Sequence, residues 1–178
     1  MAIDAGDEHC RAAGYHESAH IVIACDQGLP ISPKGIYIDN FAQGRAWFRG
    51  ATDGVAVPAA DVDKVVTALF AGGIAHRRIL QEIKGACAGD DGRIKQLLEA
   101  HNPDSKIRNE KHEQLLARAE ETVDQQWGVI SRVAEALWSK PWRPKNPHQQ
   151  WPKEKALSAS ELVLIVAPVV PVIDESAD

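Results

Sequence analysis

The sequence is poor in cysteine, and its cysteines form no recognisable framework. Cys10, Cys25 and Cys87 are scattered and include no C-x-x-C pair. Disulfide scaffolds and structural zinc knuckles place cysteines in even numbers at close, regular spacings, so neither is expected here. This usage suits a reducing compartment, and we expect the protein to be cytoplasmic.

The sequence also has no excess of basic residues and no long hydrophobic run. Its formal net charge is −5, and it contains no basic block of the kind that neutralises nucleic-acid phosphates. The most apolar segment, residues 162–173, is shorter than the roughly 20 residues of a transmembrane helix and contains two prolines. We therefore expect neither a nucleic-acid partner nor a membrane span.

What remains is the composition of a globular protein with a real core. The chain has 178 residues, of which 44% are hydrophobic and 25% charged, enough for one domain. The hydrophobic spacing predicts a first helix over 8–27, capped by Asp7, and a second over 59–83. A third is predicted around Ile94 and ends near Pro103. Residues 106–138 are predicted to form one helix or two, and a last helix begins at Ser158 or Ser160. Residues 34–50 predict a hairpin with its turn between Asp39 and Gly44. The expected fold class is mainly α (α+β), with a small hairpin or sheet beside the first helix.

The domain organisation follows from the same patterns. Residues 1–178 are predicted to form a single domain. Within it, residues 84–92 are expected to be a loop, residues 139–155 a proline-rich irregular insert, and residues 174–178 a flexible tail.

The first predicted helix carries the pattern H-E-x-x-H at His16, Glu17 and His20. Two histidines at positions i and i+4 project from one face of a helix, so both imidazoles can reach one zinc ion. Zinc lowers the pKa of a bound water towards about 7, and a neighbouring glutamate can then take its proton and pass it to the leaving amine.

The motif is short enough to arise by chance around a surface glutamate. Its context favours a site, because Gly14, Ser18 and Ala19 leave space for a metal and a substrate. Two histidines alone hold zinc weakly, so a third protein ligand is required. The spacing H-E-x-x-H-x-x-G-x-x-H is absent, and the third ligand must therefore come from further along the chain.

Four segments in the same order resemble the peptidase domain of FtsH-type ATP-dependent zinc proteases. They are YHESAHIVIACDQGLPI, GIYIDNFAQGRAWFRG, LFAGGIAHRRIL and GACAGDDGRIKQLL. The likeness covers most of residues 8–167. It implies a helical metallopeptidase domain with Zn²⁺ bound by His16, His20 and an aspartate, and with Glu17 as the catalytic base.

The resemblance leaves two candidates for that aspartate. Counting apolar positions along the following helix favours Asp90, whereas counting the loop residues before it favours Asp91. A helix that buries one face fixes the direction of each side chain. We therefore prefer Asp90, and the other carboxylate would complement the helix N-terminus.

The sequence departs from the family at two points. His76, Arg77 and Arg78 stand where the proteases usually carry acidic residues, so a carboxylate that steadies a zinc histidine is missing or comes from elsewhere. The sequence also contains no G-x-x-x-x-G-K-[ST] phosphate loop. Peptides and unfolded proteins are therefore the expected substrates, aligned by the strand around residues 44–48, with a homo-oligomer or a separate ATPase as a possible partner.

Two other interpretations compete with the metallopeptidase. The first is a non-catalytic zinc-binding or regulatory module that retains the peptidase fold, and the second is a helical protein without a metal. The sequence allows two positions for His76, one beside the site and one on the surface. Trp138, Trp142 and Trp151 are expected to pin the proline-rich insert to the body of the domain.

Overall fold

The structure is a computed structural model that describes residues 5–51, 55–80, 88–146 and 152–167. These residues form helices packed around a small antiparallel sheet, which confirms the predicted mainly α (α+β) fold. The elements in chain order are α1 (Ala5–Asp26), β1 (Ile31–Asp39), β2 (Gly44–Phe48), a 3-10 turn (Ala59–Asp61), α2 (Val62–Ile79), α3 (Ala88–His101), α4 (Ser105–Trp138), β3 (Arg143–Pro144), β4 (Lys153–Leu157) and α5 (Ala159–Val166). The predicted tail at 174–178 lies outside the described residues.

Helix α1 is the central element of the core. Its residues from Ala12 to Ala24 are buried on every side, and it packs against α2, α4, β1 and β2. Alanines such as Ala19, which is 0% exposed, allow the neighbouring elements to approach closely. The predicted cap at Asp7 is wrong, because the helix begins at Ala5 and Asp7 lies in its first turn.

The predicted hairpin is confirmed as β1 and β2. The Asp39 carboxylate accepts hydrogen bonds from the backbone amides of Phe41 and Gln43, which closes the turn. The sheet has the strand order β2-β1-β4-β3. Among the described residues, β2 has β1 as its only strand neighbour, so β2 is an edge strand.

The prediction of an irregular insert over 139–155 is wrong for residues 143–144 and 153–155, which belong to strands. Residues 143–144 form β3, which pairs with the beginning of β4 within this segment. Proline breaks most regular structure, but an edge strand tolerates it because one side of that strand needs no amide donor. Trp138 and Trp142 pack against the core as expected, and Trp151 lies outside the described residues.

Lys155 of β4 joins the strand to the end of α4. Its ammonium group donates hydrogen bonds to the carbonyl oxygens of Trp138, at 2.5 Å, and Lys140, at 2.7 Å. It also lies 4.6 Å from the ring centroid of Trp138 and 4.9 Å from that of Trp142. These contacts satisfy carbonyls that a helix end leaves unpaired and offset the loss of hydration of a lysine that is only 8% exposed.

The predicted loop over 84–92 is wrong for residues 88–92, which begin α3. Two carboxylates in the first turn favour a helix there, because they face the positive end of its dipole. The α3 helix is attached to the body through Arg93, which donates to the carbonyl oxygens of Gly50, at 3.0 Å, and Val55, at 2.6 Å. Its buried face carries Ile94, Leu97 and Leu98.

The segment predicted as one helix or two is the single helix α4. Asp104 caps it by accepting hydrogen bonds from the amides of Lys106 and Ile107. Ser158, rather than Ser160, caps α5. No helix in the described part of the chain combines the length and the hydropathy that crossing a bilayer requires.

Candidate metal centre

The structure brings His16, His20 and Asp90 together at one point. The two histidines lie one turn apart on α1, and their Nε2 atoms are 2.9 Å from each other. Asp90, in the first turn of α3, places its Oδ2 atom 2.9 Å from His16 Nε2 and 3.3 Å from His20 Nε2. Asp91, the alternative candidate, is exposed and is not a member of this cluster.

The three ligand atoms fit a tetrahedral zinc ion. Zn–N and Zn–O bonds of about 2.0–2.2 Å at tetrahedral angles separate neighbouring ligand atoms by about 3.3–3.5 Å. The separations of 2.9–3.3 Å therefore need to widen by only a few tenths of an ångström. Two imidazoles and one carboxylate are also a donor set of catalytic zinc sites, which use three protein ligands.

A glycine on α2 provides the space for this cluster. A Cβ atom built on Gly72 would lie 2.8 Å from His16 Nε2 and closer still to the ring of His20. No side chain larger than hydrogen is therefore compatible with the two imidazoles in this arrangement. The Gly72-Gly73 pair inside a predicted helix was a sequence signal of such a close approach.

The two imidazoles differ in their outer hydrogen bonds. His20 Nδ1 lies 2.8 Å from the carbonyl oxygen of Ala68, which can only accept. This bond fixes the proton on Nδ1 and leaves the Nε2 lone pair for a metal. His16 Nδ1 is buried and has no hydrogen-bond partner among the described residues.

The electrostatics of the cluster favour a positive charge at its centre. Burial lowers the pKa of His16 to about 4, and the neighbouring His20 charge adds to this shift. Burial also acts to lower the pKa of His20, but the Asp90 carboxylate outweighs it and raises that pKa to about 9. For Asp90, burial acts to raise the pKa, and the two imidazoles hold it below its usual range. A buried carboxylate beside convergent ring nitrogens is thus arranged to hold a cation.

Glu17 is buried in the same cleft, on the side of β2. It is 7% exposed, and a Cβ atom on Gly44 would come within 2.6 Å of its Cγ atom. Burial raises the pKa of Glu17 to about 7, against the opposing effects of the His20 charge and a hydrogen bond from the Ala46 backbone. A carboxyl group with this pKa can both accept and release a proton near neutral pH.

The cleft has a volume of about 410 Å³ and is bordered by α1, β2 and the start of α3. His76 also borders it, with 7% exposure and its ring centroid 5.9 Å from that of His16. His76 therefore lies beside the site, which is one of the two positions that the sequence allowed. Arg78 instead forms an ion pair with Asp124 of α4 and stacks on Trp127.

No family model matches this chain, and no curated protein matches it. The resemblance to FtsH-type proteases therefore stays a prediction from the quoted segments.

Proposed function

We propose that this protein is a zinc-dependent metallopeptidase that hydrolyses peptide bonds with Glu17 as general base. One observation carries the proposal. The ligand atoms of His16, His20 and Asp90 meet within 3.3 Å of one another at the wall of a cleft that also contains the buried Glu17.

In this proposal His16 and His20 bind the ion through Nε2, and Asp90 binds it through Oδ2. The zinc ion, when bound, acts as a Lewis acid and makes water a strong nucleophile at neutral pH. Glu17 accepts the proton of the attacking water and then donates it to the leaving amine. The Ala68 carbonyl orients His20 throughout.

The proposed substrates are peptides and unfolded protein segments. The edge strand β2 borders the cleft through Gly44, Arg45, Ala46 and Phe48, and a free strand edge binds extended chains by backbone pairing. A folded substrate would need prior unfolding, for which a separate ATPase remains a proposed partner. A homo-oligomer is the other proposed assembly. The cytoplasm remains the proposed location.

The replacement Glu17→Gln tests the catalytic role. We expect Glu17→Gln to abolish cleavage of casein while zinc stays bound, because the amide cannot accept a proton and Glu17 is not a ligand. The control is Glu8→Gln, a change to an exposed residue of the same helix, which should leave both properties unchanged. Metal content and cleavage rate are measured on the same preparations.

Undiminished turnover by Glu17→Gln would refute the role of Glu17. Zinc bound by the unmodified protein, with no cleavage of any peptide in a broad library, would instead favour a non-catalytic zinc-binding or regulatory module with this fold.

A further inference from the structure

The edge strand β2 has an outer face that is rich in cations. Alternate residues of a strand point to opposite faces, and Ala46 and Phe48 are buried towards the core. Arg45 and Trp47 therefore point outward, and Arg49 follows in the turn that ends the strand. Arg45 and Arg49 are exposed and Trp47 is half-buried. The ammonium group of Lys34 lies 5.6 Å from the Trp47 ring centroid. We call Lys34, Arg45, Trp47 and Arg49 the cationic strip.

Among the described residues, the basic side chains of the cationic strip lack a close acidic partner, and the Arg45 charge, at the rim of the cleft, acts on Glu17 only from a distance, where it opposes the rise in pKa that burial causes. Within the described ranges, none of its three basic residues forms an ion pair with a carboxylate. Elsewhere the protein pairs such groups, as in Arg11 with Glu135 at 2.5 Å and Lys111 with Asp63 at 2.5 Å. In a chain with a formal net charge of −5, a basic strip without ion pairs in the described part of the structure is a local exception that favours an anionic ligand.

The cationic strip belongs to the strand edge that borders the cleft. An extended chain that pairs with β2 would alternate its side chains between the cleft and the outer face, as β2 does. Residues four apart on such a chain are separated by about 13–14 Å, and Arg45 and Arg49 are likewise four positions apart, the first within β2 and the second directly after it. Side chains at these two places would meet the two guanidinium groups, and the side chain between them would meet Trp47.

From this register we infer that the cleft selects acidic extended segments, with carboxylates four residues apart and an apolar side chain between them. The inference rests on the proposed peptidase function, because it assigns the substrate class of that same site. A polypeptide is favoured over a nucleic acid, because the cations lie along an edge strand, and an edge strand can pair with another polypeptide backbone.

The test compares two synthetic ten-residue peptides that are identical except for Glu or Lys at two positions four residues apart. Binding is measured with the zinc-loaded Glu17→Gln variant, and cleavage is measured with the unmodified protein. We expect the Glu peptide to bind about tenfold more tightly at low salt, which two exposed charge pairs within their usual range of strength would provide. The preference should shrink at high salt, because exposed charges are screened.

Charge variants locate the effect. Arg45→Gln and Arg49→Gln, each combined with Glu17→Gln, should each reduce the preference, and the double change to Glu should reverse it towards the Lys peptide. The matched control is Arg143→Gln, an exposed arginine on β3 at the opposite edge of the same sheet. It should keep the full preference.

Equal binding of the two peptides would overturn the inference, as would loss of the preference in the Arg143→Gln control. Tighter binding of a single-stranded oligonucleotide of matched charge would also overturn it. Cleavage of both peptides at equal rates with equal affinities would contradict only the charge selection. Selective binding without any cleavage would contradict the proposed function and leave the charge selection standing.

Discussion

At the scale of single residues, the candidate metal centre distinguishes neighbours that the sequence makes alike. Asp90 and Asp91 are adjacent acidic residues in the first turn of α3. The Asp90 carboxylate lies against both imidazoles, whereas Asp91 is exposed. Because of this difference, replacing each aspartate in turn tests which of them binds zinc, and each variant serves as the control for the other.

We predict that Asp90→Asn lowers zinc affinity by more than about 100-fold, because loss of a ligand should exceed the 10–100-fold effect of losing an outer hydrogen-bond partner. Asp91→Asn should bind zinc as the unmodified protein does. Competition against a chromophoric chelator measures both affinities. The reverse order of effects would assign the third ligand to Asp91.

Two glycines permit a sharper separation of metal binding from catalysis. Gly72→Ala would place a methyl group 2.8 Å from His16 Nε2 and should remove bound zinc. Gly44→Ala would place a methyl group 2.6 Å from Glu17 Cγ, so this variant should keep zinc and lose most peptide cleavage.

The control is Gly128→Ala in α4, where an added Cβ meets nothing within 4 Å. This change should stabilise the fold by about 0.5–1 kcal/mol. Metal content, cleavage rate and thermal melts distinguish the three variants, and zinc retained at full affinity by Gly72→Ala would contradict the position of the site.

At the scale of secondary-structure elements, α5 is held by one acidic residue. Glu161 accepts hydrogen bonds from the amide of Ser158, at 2.9 Å, and from its hydroxyl, at 2.8 Å, and it forms an ion pair with Lys140, which lies just after α4. The Lys140 hydrogen bond is the main reason that the pKa of Glu161 is lowered to about 2.

This shift predicts a loss of stability in acid. A carboxyl group whose pKa is lower in the folded state stabilises the fold above its unfolded pKa of 4.5, and this contribution disappears as the pH falls from about 4.5 to 2. The side chain is 41% exposed, so solvent screening limits the effect to about 1 kcal/mol or less, which is at most about 2–4 °C in melting temperature.

Glu161→Gln should therefore melt at a lower temperature than the unmodified protein at pH 6, and the difference in melting temperature should narrow at pH 3. A constant difference across this range would contradict the assignment, and Glu99→Gln, at an exposed position of α3, is the control.

The sequence predicted the helices and the hairpin because their signals are local. The apolar spacing of Ile94, Leu97 and Leu98 also indicated Asp90 before Asp91, since a helix that buries those residues fixes the direction of its first turn. The strand β4 escaped prediction because it forms by pairing with β1, more than 100 residues earlier in the chain, as in Tyr37 with Ala156, and β3 in turn pairs with β4. The local prolines indicated only irregular structure.

The site itself was predictable in part for the same reason. The H-E-x-x-H pattern states which side chains share a helix face, and that part depends on spacing alone. The Ala68 carbonyl that orients His20 is a backbone group on α2, and any residue type can supply it. The closeness of Gly44 to Glu17 likewise depends on how β2 packs against α1, which residue type does not reveal.

At the scale of the whole molecule, the candidate metal centre joins separate parts of the chain. The ligands come from α1 and α3, and α2 contributes Gly72 and the Ala68 carbonyl. The chain between His20 and Asp90 thus forms a long loop that the ion would close. Binding to the folded state alone stabilises a protein by about 4 kcal/mol at a thousandfold excess over Kd, so the metal would contribute to the fold as well as to catalysis.

The most direct measurement is the metal content and the metal position in protein purified without added zinc. Elemental analysis should find one zinc ion per chain, and anomalous diffraction at the zinc edge should place it between His16, His20 and Asp90, about 2.0–2.2 Å from each ligand atom. Protein without zinc that also fails to take up the ion on addition, or an ion bound elsewhere with these three groups turned apart, would contradict the account.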